Sequence, residues 1–188
     1  CKDHATDEPD SAQMDFTITA NHLSVISNGR YLGSKIKKGK KTFCWKVVNP
    51  INLYDITFYL GNYKRLTDTY TNADGEKLDL EHYVLERNFK TAQKHFPQVK
   101  QHIATFEWAF GKYNWYQDGF KLVECPYLGM EHQSAIAYGN HFQNDLFGKD
   151  DYIILHETGH EWFGNAITVA DYAGIWLQEG ITTYAEAI

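Results

Sequence analysis

Residues 156–165 read HETGHEWFGN, inside a longer stretch (150–167) whose apolar residues recur at helical spacing. At about 100° per residue, positions four apart differ by about 40° around a helix, so His156 and His160 share one face. Two imidazoles on one face can converge on a single tetrahedral cation. Glu157 lies one step round, beside the cation, where a general base takes a proton from an attacking water.

The pentapeptide alone leaves a second interpretation open, because HExxH also occurs in unrelated helices whose histidines face the core. A catalytic zinc site needs three protein ligands and one open position. Glu179 can be the third ligand, since it lies in a second predicted helix (171–188) long enough to fold back onto the first. Glu186 lies seven residues further on nearly the same face, as a partner for the N–H of a zinc-bound histidine or as a solvated glutamate.

The first third of the chain predicts β-structure, since apolar and polar residues alternate or β-branched and aromatic residues cluster there. The predicted strands are MDFTITA (14–20), TFCWKVV (42–48) and LYDITFYLG (53–61), with turns at SNGR (27–30) and NADGEK (72–77). Spacing of three and four then predicts helices at LEHYVLERNFKTAQKHF (80–96) and PQVKQHIATFEWAFGKY (97–113). A second β-patch is predicted at FKLVECPYLGM (120–130) and SAIAYGN (134–140), and helices close the sequence, with Asp150 or Asp151 able to cap the first of them.

Composition and charge narrow the class of protein. The content of 43% hydrophobic residues predicts a folded globule, and the net charge of -6 argues against a nucleic-acid partner. The basic run KIKKGKK (35–41) predicts an exposed hairpin tip around Gly39. Its 3 cysteines allow at most one disulfide, and no apolar run reaches the roughly 18 residues of a membrane span.

HETGHEWFGN, followed by Glu179 within WLQEGITTYAE (176–186), resembles the aminopeptidase N family of zinc metallopeptidases, the gluzincins. That family's pattern runs HExxHxWFGN and then WLNEGFAxYxE, and only Gln178 departs visibly from its WLNEG. The resemblance implies one Zn²⁺ per chain, held by His156, His160 and Glu179, with Glu157 as the general base.

The resemblance also implies an α+β fold. Residues 1–68 would be the end of a β-rich, saddle-like domain, and residues 69–188 the first part of a thermolysin-like zinc peptidase domain, built from a small sheet plus helices. CKDH at residues 1–4 and PINLYDITFYLGNY at 50–63 look like the end of the saddle domain. Both ends of the sequence are expected to be cut edges of a longer protein.

Upstream, LGMEHQ (128–133) resembles the family's GxMEN loop, whose glutamate binds the substrate's free α-amino group. The resemblance implies substrate contacts at Gly129, Met130 and Glu131. An anion at position 131 would distinguish a terminal ammonium from an internal peptide bond through charge-assisted hydrogen bonds, whereas the plainer alternative is a strand glutamate facing solvent. His132 replaces the family's asparagine, and its protonation near neutral pH would draw charge from Glu131 and weaken amine binding.

The sequence therefore predicts a zinc-dependent aminopeptidase that hydrolyses the N-terminal residue from peptides with a free N-terminus, using a zinc-activated water. The family also uses a tyrosine well downstream of the third ligand, whereas this sequence ends nine residues after Glu179, so this stretch of chain is expected to be impaired by itself. Two alternatives stay open: a thermolysin-like endopeptidase that has no use for Glu131, and a non-catalytic module that binds zinc. The compartment and the preferred N-terminal residue are not decided by the sequence.

Overall fold

A computed structural model describes residues 8–145 and 148–188. These residues form ten strands: β1 (Ala12–Ile18), β2 (Ser24–Ser27), β3 (Arg30–Lys37), β4 (Lys40–Val47), β5 (Phe58–Gly61), β6 (Tyr63–Thr71), β7 (Lys77–Leu85), β8 (Leu122–Glu124), β9 (Gly129–Met130) and β10 (Ile136–Tyr138). They also form four α-helices: α1 (Phe89–His95), α2 (Val99–Phe110), α3 (Tyr152–Gly159) and α4 (Ile175–Ala185). CKDH and Cys1 lie outside the described residues, and Cys44 and Cys125 are free thiols.

The strands form three sheets. β1, β4 and β3 make an antiparallel sheet in that order, and β2 pairs with β5. A mixed five-stranded sheet has the order β6-β7-β8-β10-β9, in which β7, β8 and β10 are mutually parallel and β9 pairs antiparallel at one edge. The predicted α+β fold class is confirmed.

The central strands of the five-stranded sheet are buried on both faces. Neighbouring residues on one strand point to opposite faces, so Leu122 enters a core shared with the helices while Val123 enters a second core against the strands of the first sixty residues. Ile136 and Ala137 on β10 divide in the same way. The proposed division at residue 68 stays a prediction, and it falls within β6, which pairs with β7 along its whole length.

The helix predicted from residue 80 is wrong over its first part. Residues 80–85 complete β7, and α1 begins only at Phe89. The cause is two-sided burial: Tyr83 and Val84 enter different cores, which removes the alternation of a half-buried strand and imitates helical spacing. The strand predicted at 53–61 is also shorter than expected, because Leu53–Asp55 forms a 3₁₀ turn and β5 begins at Phe58.

The other local predictions of strands and turns are confirmed. β1, β4 and the β8–β10 patch lie where predicted, and residues 72–76 turn between β6 and β7. The basic run forms the β3–β4 hairpin tip, where Lys38 and Gly39 both have positive φ, as a tight two-residue turn requires. Among the described residues, no helix is long and apolar enough to cross a membrane.

Candidate metal and peptide site

The candidate site is built on α3, which begins at a buried cap. The Asp151 carboxylate accepts the Ile153 N–H at 3.0 Å, so Asp151 is the capping residue of the two that the sequence allows. The same carboxylate accepts hydrogen bonds from the Tyr138 hydroxyl at 2.5 Å and the Asn140 amide at 2.8 Å, and lies 2.8 Å from His95 Nε2. The start of α3 is thereby tied to α1 and to the end of β10.

α3 is shorter than the predicted helix and ends at Gly159. His160 keeps helical backbone angles and its N–H donates to the His156 carbonyl at 3.2 Å, so the two histidines still share one face. Gly164 in the following turn has a φ of 146°, and a Cβ there would lie 3.2 Å from His160 Nδ1. The chain therefore leaves the helix by folding closely round the second histidine.

The two histidines converge as the sequence predicts. His156 Nε2 and His160 Nε2 lie 3.1 Å apart, with the rings nearly perpendicular. α4 folds back onto α3, and Glu179 Oε2 lies 3.4 Å from each of these nitrogens. Glu186, at the end of α4, places Oε1 2.5 Å from His156 Nδ1, so the solvated alternative for Glu186 is wrong.

The tautomers follow from the partners of the two Nδ1 atoms. His156 Nδ1 faces a carboxylate and His160 Nδ1 lies 2.9 Å from the Phe163 carbonyl, so each Nδ1 is assigned the proton. In neutral imidazoles each Nε2 then presents a lone pair. The lone pairs of the two Nε2 atoms and a Glu179 carboxylate oxygen therefore face one another with no hydrogen between them. Such a group of lone pairs is what a metal cation binds.

Their spacing fits zinc. Bond lengths of about 2.0 to 2.2 Å in a tetrahedral site put neighbouring ligand atoms about 3.3 to 3.6 Å apart. The three separations here are 3.1, 3.4 and 3.4 Å. Glu179 is about half exposed, with 50% of its side chain accessible, which leaves an open side for a fourth ligand.

Glu157 lies beside this triplet. It is buried, and one of its carboxylate oxygens comes within 4.8 Å of a ring nitrogen of each histidine. Burial raises the pKa of Glu157 to about 8, and the charge of Glu131 acts in the same direction, whereas His156 lowers it. Because its oxygen is not part of the tighter triplet, we treat Glu157 as separate from the candidate ligands.

The edge strand β9 reaches the site at Gly129. A Cβ on Gly129 would lie 2.3 Å from Glu157 Oε1 and 2.9 Å from Ile153 Cγ2, so the backbone of β9 passes directly over the carboxylate of Glu157. Met130 packs against the second core, which the five-stranded sheet shares with the strands of the first sixty residues. Glu131 follows and is only 7% exposed, which makes the solvent-facing alternative for this residue wrong.

The expectation for His132 is also wrong. Its ring is mostly buried beside Tyr59, with the ring centroids 6.2 Å apart, and burial lowers the pKa of His132 to about 4. The imidazole is therefore neutral near pH 7. In that range it carries no positive charge that could weaken the binding of an amine by Glu131.

Sequence reasoning missed several buried polar residues that connect the parts of the site. Glu161 and Asn165 lie within the quoted HETGHEWFGN, on either side of the apolar Trp162 and Phe163, and this position was an available signal. The Asn165 amide donates to the Glu131 carbonyl at 2.8 Å and to Glu161 Oε2 at 3.1 Å. Thr182 on α4 lies 3.2 Å from His160 Nδ1, and no sequence pattern marked it.

Residues 88–188 match the sequence profile of the peptidase family M1 domain, and they comprise more than half of the chain. The chain belongs to peptidase family M1. The metallopeptidase family predicted from the sequence is therefore confirmed. The site described above lies wholly within residues 88–188.

Two curated relatives and one solved structure illustrate the relationship. Aminopeptidase N of Escherichia coli is 26% identical over 96% of this chain and 22% of its own length, and Aminopeptidase B of mouse is 27% identical over 80% and 22%. An M1 zinc metallopeptidase from Deinococcus radiodurans superimposes with a TM-score of 0.78 at 22% identity, over 99% of this chain and 41% of that one. This likeness concerns the fold. The M1 chain thus spans about a fifth of the length of these two curated relatives.

Proposed function

We propose that this chain carries the zinc site of an aminopeptidase, a hydrolase that removes the N-terminal residue from peptides. The observation that supports this most directly is the triplet of His156 Nε2, His160 Nε2 and Glu179 Oε2, separated by 3.1 to 3.4 Å with only acceptors facing the centre. One Zn²⁺ bound there would polarise the scissile carbonyl and activate the attacking water.

The carboxylates around the triplet support a dication. Besides burial, the charges of Glu131, Glu179 and Glu186 raise the pKa of Glu157, so several carboxylates lie close together here. The hydrogen bond from His156 to Glu186 orients the ring and makes its other nitrogen a better ligand. A divalent ion would offset the mutual repulsion of these carboxylates.

The side chains around the candidate zinc position then have separate roles in the reaction. Glu157 takes the proton of the attacking water and returns it to the leaving amine, because it lies beside the triplet without belonging to it. Glu131 binds the substrate ammonium through charge-assisted hydrogen bonds. Gly129 brings the two carboxylates together, since its backbone contacts Glu157 two residues before Glu131.

The substrate class rests on Glu131 and is tested by its removal. In the full-length, zinc-loaded protein, Glu131→Ala should lower the specificity constant for peptides with a free amino terminus by roughly 30- to 1000-fold, because a buried charged hydrogen bond contributes about 2 to 4 kcal/mol. N-acetylated peptides should lose far less. Hydrolysis rates of matched free and acetylated peptides give the comparison.

Zinc content, measured on the same preparations, keeps metal loss apart from loss of amine recognition. His160→Ala should take up little zinc, whereas Glu131→Ala should bind it fully. An equal loss for free and acetylated peptides in Glu131→Ala would replace the aminopeptidase assignment by an endopeptidase one. Full zinc binding without turnover by the wild type would leave a non-catalytic module.

A further inference from the structure

The amine-binding loop is held weakly by its own sheet. β9 consists of Gly129 and Met130 alone. It pairs with Tyr138 and Ala137 of β10, and just before it the Leu128 carbonyl accepts the Gly139 N–H at 2.8 Å. Glu131 follows this short edge strand and has no sheet partner of its own. Something beyond the sheet must therefore fix the distance from Glu131 to the histidines.

The turn after α3 provides that connection. Asn165 is fully buried, and its side-chain amide donates to the Glu131 carbonyl at 2.8 Å and to Glu161 Oε2 at 3.1 Å. Its own N–H donates to the His160 carbonyl at 2.9 Å. One residue thus contacts the backbone of both the candidate amine anchor and a candidate zinc ligand.

Glu161 completes the connection from the other side. This carboxylate is 1% exposed, directly follows His160, and accepts the Ser134 N–H at 2.8 Å. Ser134 has a φ of 59°, a conformation that costs an L-residue energy and persists only where the surroundings hold it. The Gly29 N–H donates a hydrogen bond to Ser134 Oγ at 2.9 Å, which helps to hold it. Residues 131–134 are therefore attached at both ends to the segment that begins at His160.

We propose that Asn165 and Glu161 are positioning residues for amino-terminal recognition. They fix the backbone of Glu131 relative to His160, so that the carboxylate meets the substrate ammonium while the scissile carbonyl reaches the metal position. The proposal rests on the aminopeptidase function proposed above. Hydrogen bonds that only maintained the fold would support tight binding of blocked and free ligands equally.

Two hydroxamates separate these possibilities in the full-length, zinc-loaded protein. Leucine hydroxamate offers a zinc-binding group and a free amine, whereas N-acetyl-leucine hydroxamate offers the zinc-binding group alone. The inhibition constant of N-acetyl-leucine hydroxamate divided by that of leucine hydroxamate measures amine recognition. Asn165→Ala should reduce the wild-type ratio about tenfold through weaker binding of leucine hydroxamate, with zinc content and binding of the acetylated compound unchanged.

Asn140→Ala is the matched control. The Asn140 amide also donates to a buried carboxylate, that of Asp151, and to a backbone carbonyl, that of Gln143, but it has no hydrogen bond to residues 131–134. It should lower stability comparably and leave the ratio unchanged. If Asn165→Ala does not fold, Asn165→Leu keeps a branched side chain of similar shape and removes both donated hydrogen bonds, with the same expected fall.

The outcomes distinguish the proposal from the function on which it rests. An unchanged ratio in the Asn165 variants, together with a collapsed ratio in Glu131→Ala, would overturn the positioning role and leave the aminopeptidase assignment intact. An unchanged ratio in Glu131→Ala would instead overturn amine recognition by Glu131. A fall in the ratio for Asn140→Ala as large as that for Asn165→Ala would show a general effect of destabilisation and also overturn the proposal.

Discussion

Among single side chains, Glu157 has an unusual environment for a carboxylate. It lies on α3 and is buried beneath the edge strand, where its carboxylate leaves no room for a Cβ on Gly129. Burial raises its pKa, and the adjacent His156 opposes that effect. A carboxyl group whose pKa lies close to neutral pH can take up and return a proton during a reaction, which suits a general base.

We expect Glu157→Gln to separate these two roles. Glutamine keeps the shape of the side chain and cannot take a proton, so the full-length variant should retain stoichiometric zinc and lose turnover by about 10² to 10⁴-fold. Metal analysis and steady-state kinetics on one preparation measure both. Loss of zinc in this variant would instead assign Glu157 to the metal.

Between secondary-structure elements, the site depends on how α4 lies against α3. Glu179 and Glu186 are seven residues apart on α4 and its cap, and they contact opposite nitrogens of the same His156 ring. Thr182, between them, reaches His160. One face of α4 therefore holds both imidazoles, with a candidate ligand on one side and an orienting carboxylate on the other.

This arrangement predicts that Glu186→Gln weakens zinc binding about 10- to 100-fold, because an amide orients the His156 ring less strongly than a carboxylate and leaves the ring less basic. Competition with a chelator of known affinity measures the change. Glu76→Gln is a suitable control, since Glu76 is a salt-bridged surface carboxylate on the β6–β7 turn. Equal zinc affinities of wild type and Glu186→Gln would contradict an orienting role.

Across the whole chain, the five-stranded sheet between its two cores carries a buried histidine. His82 on β7 is enclosed, with Phe96 packed against its ring, and its Nδ1 accepts the Leu122 N–H at 3.0 Å. Burial lowers the pKa of His82 from 6.5 to about 3. Between these values the unfolded chain binds a proton that the folded chain does not, so folded stability falls as the pH falls.

We expect His82 to contribute roughly 3 to 5 kcal/mol of stability above pH 6.5 that is lost progressively towards pH 3. Denaturant unfolding at a series of pH values measures this. His82→Asn keeps an acceptor for the Leu122 N–H and cannot titrate, so subtracting its pH profile isolates the histidine from groups such as Glu161, whose raised pKa acts in the opposite direction. Parallel profiles of the two proteins would contradict the prediction.

Short-range sequence patterns determine much of the local structure of this molecule. The spacing of His156 and His160 places both rings on one helical face wherever the helix packs, and the turns at 72–76 and around Gly39 need only their local residues. The zinc peptidase family is also recognisable from HETGHEWFGN and WLQEGITTYAE. These features depend on neighbours within a few residues, which the sequence displays directly.

Packing decides the features that join distant residues. Residues 80–85 form a strand because both faces of β7 are covered, although their spacing resembles a helix. His132 is neutral because it is buried, and a linear sequence does not reveal how deeply a side chain lies. The links from Asn165 to Glu131 and from Glu186 to His156 span about 30 residues, so they arise only when the sheet edge and both helices meet.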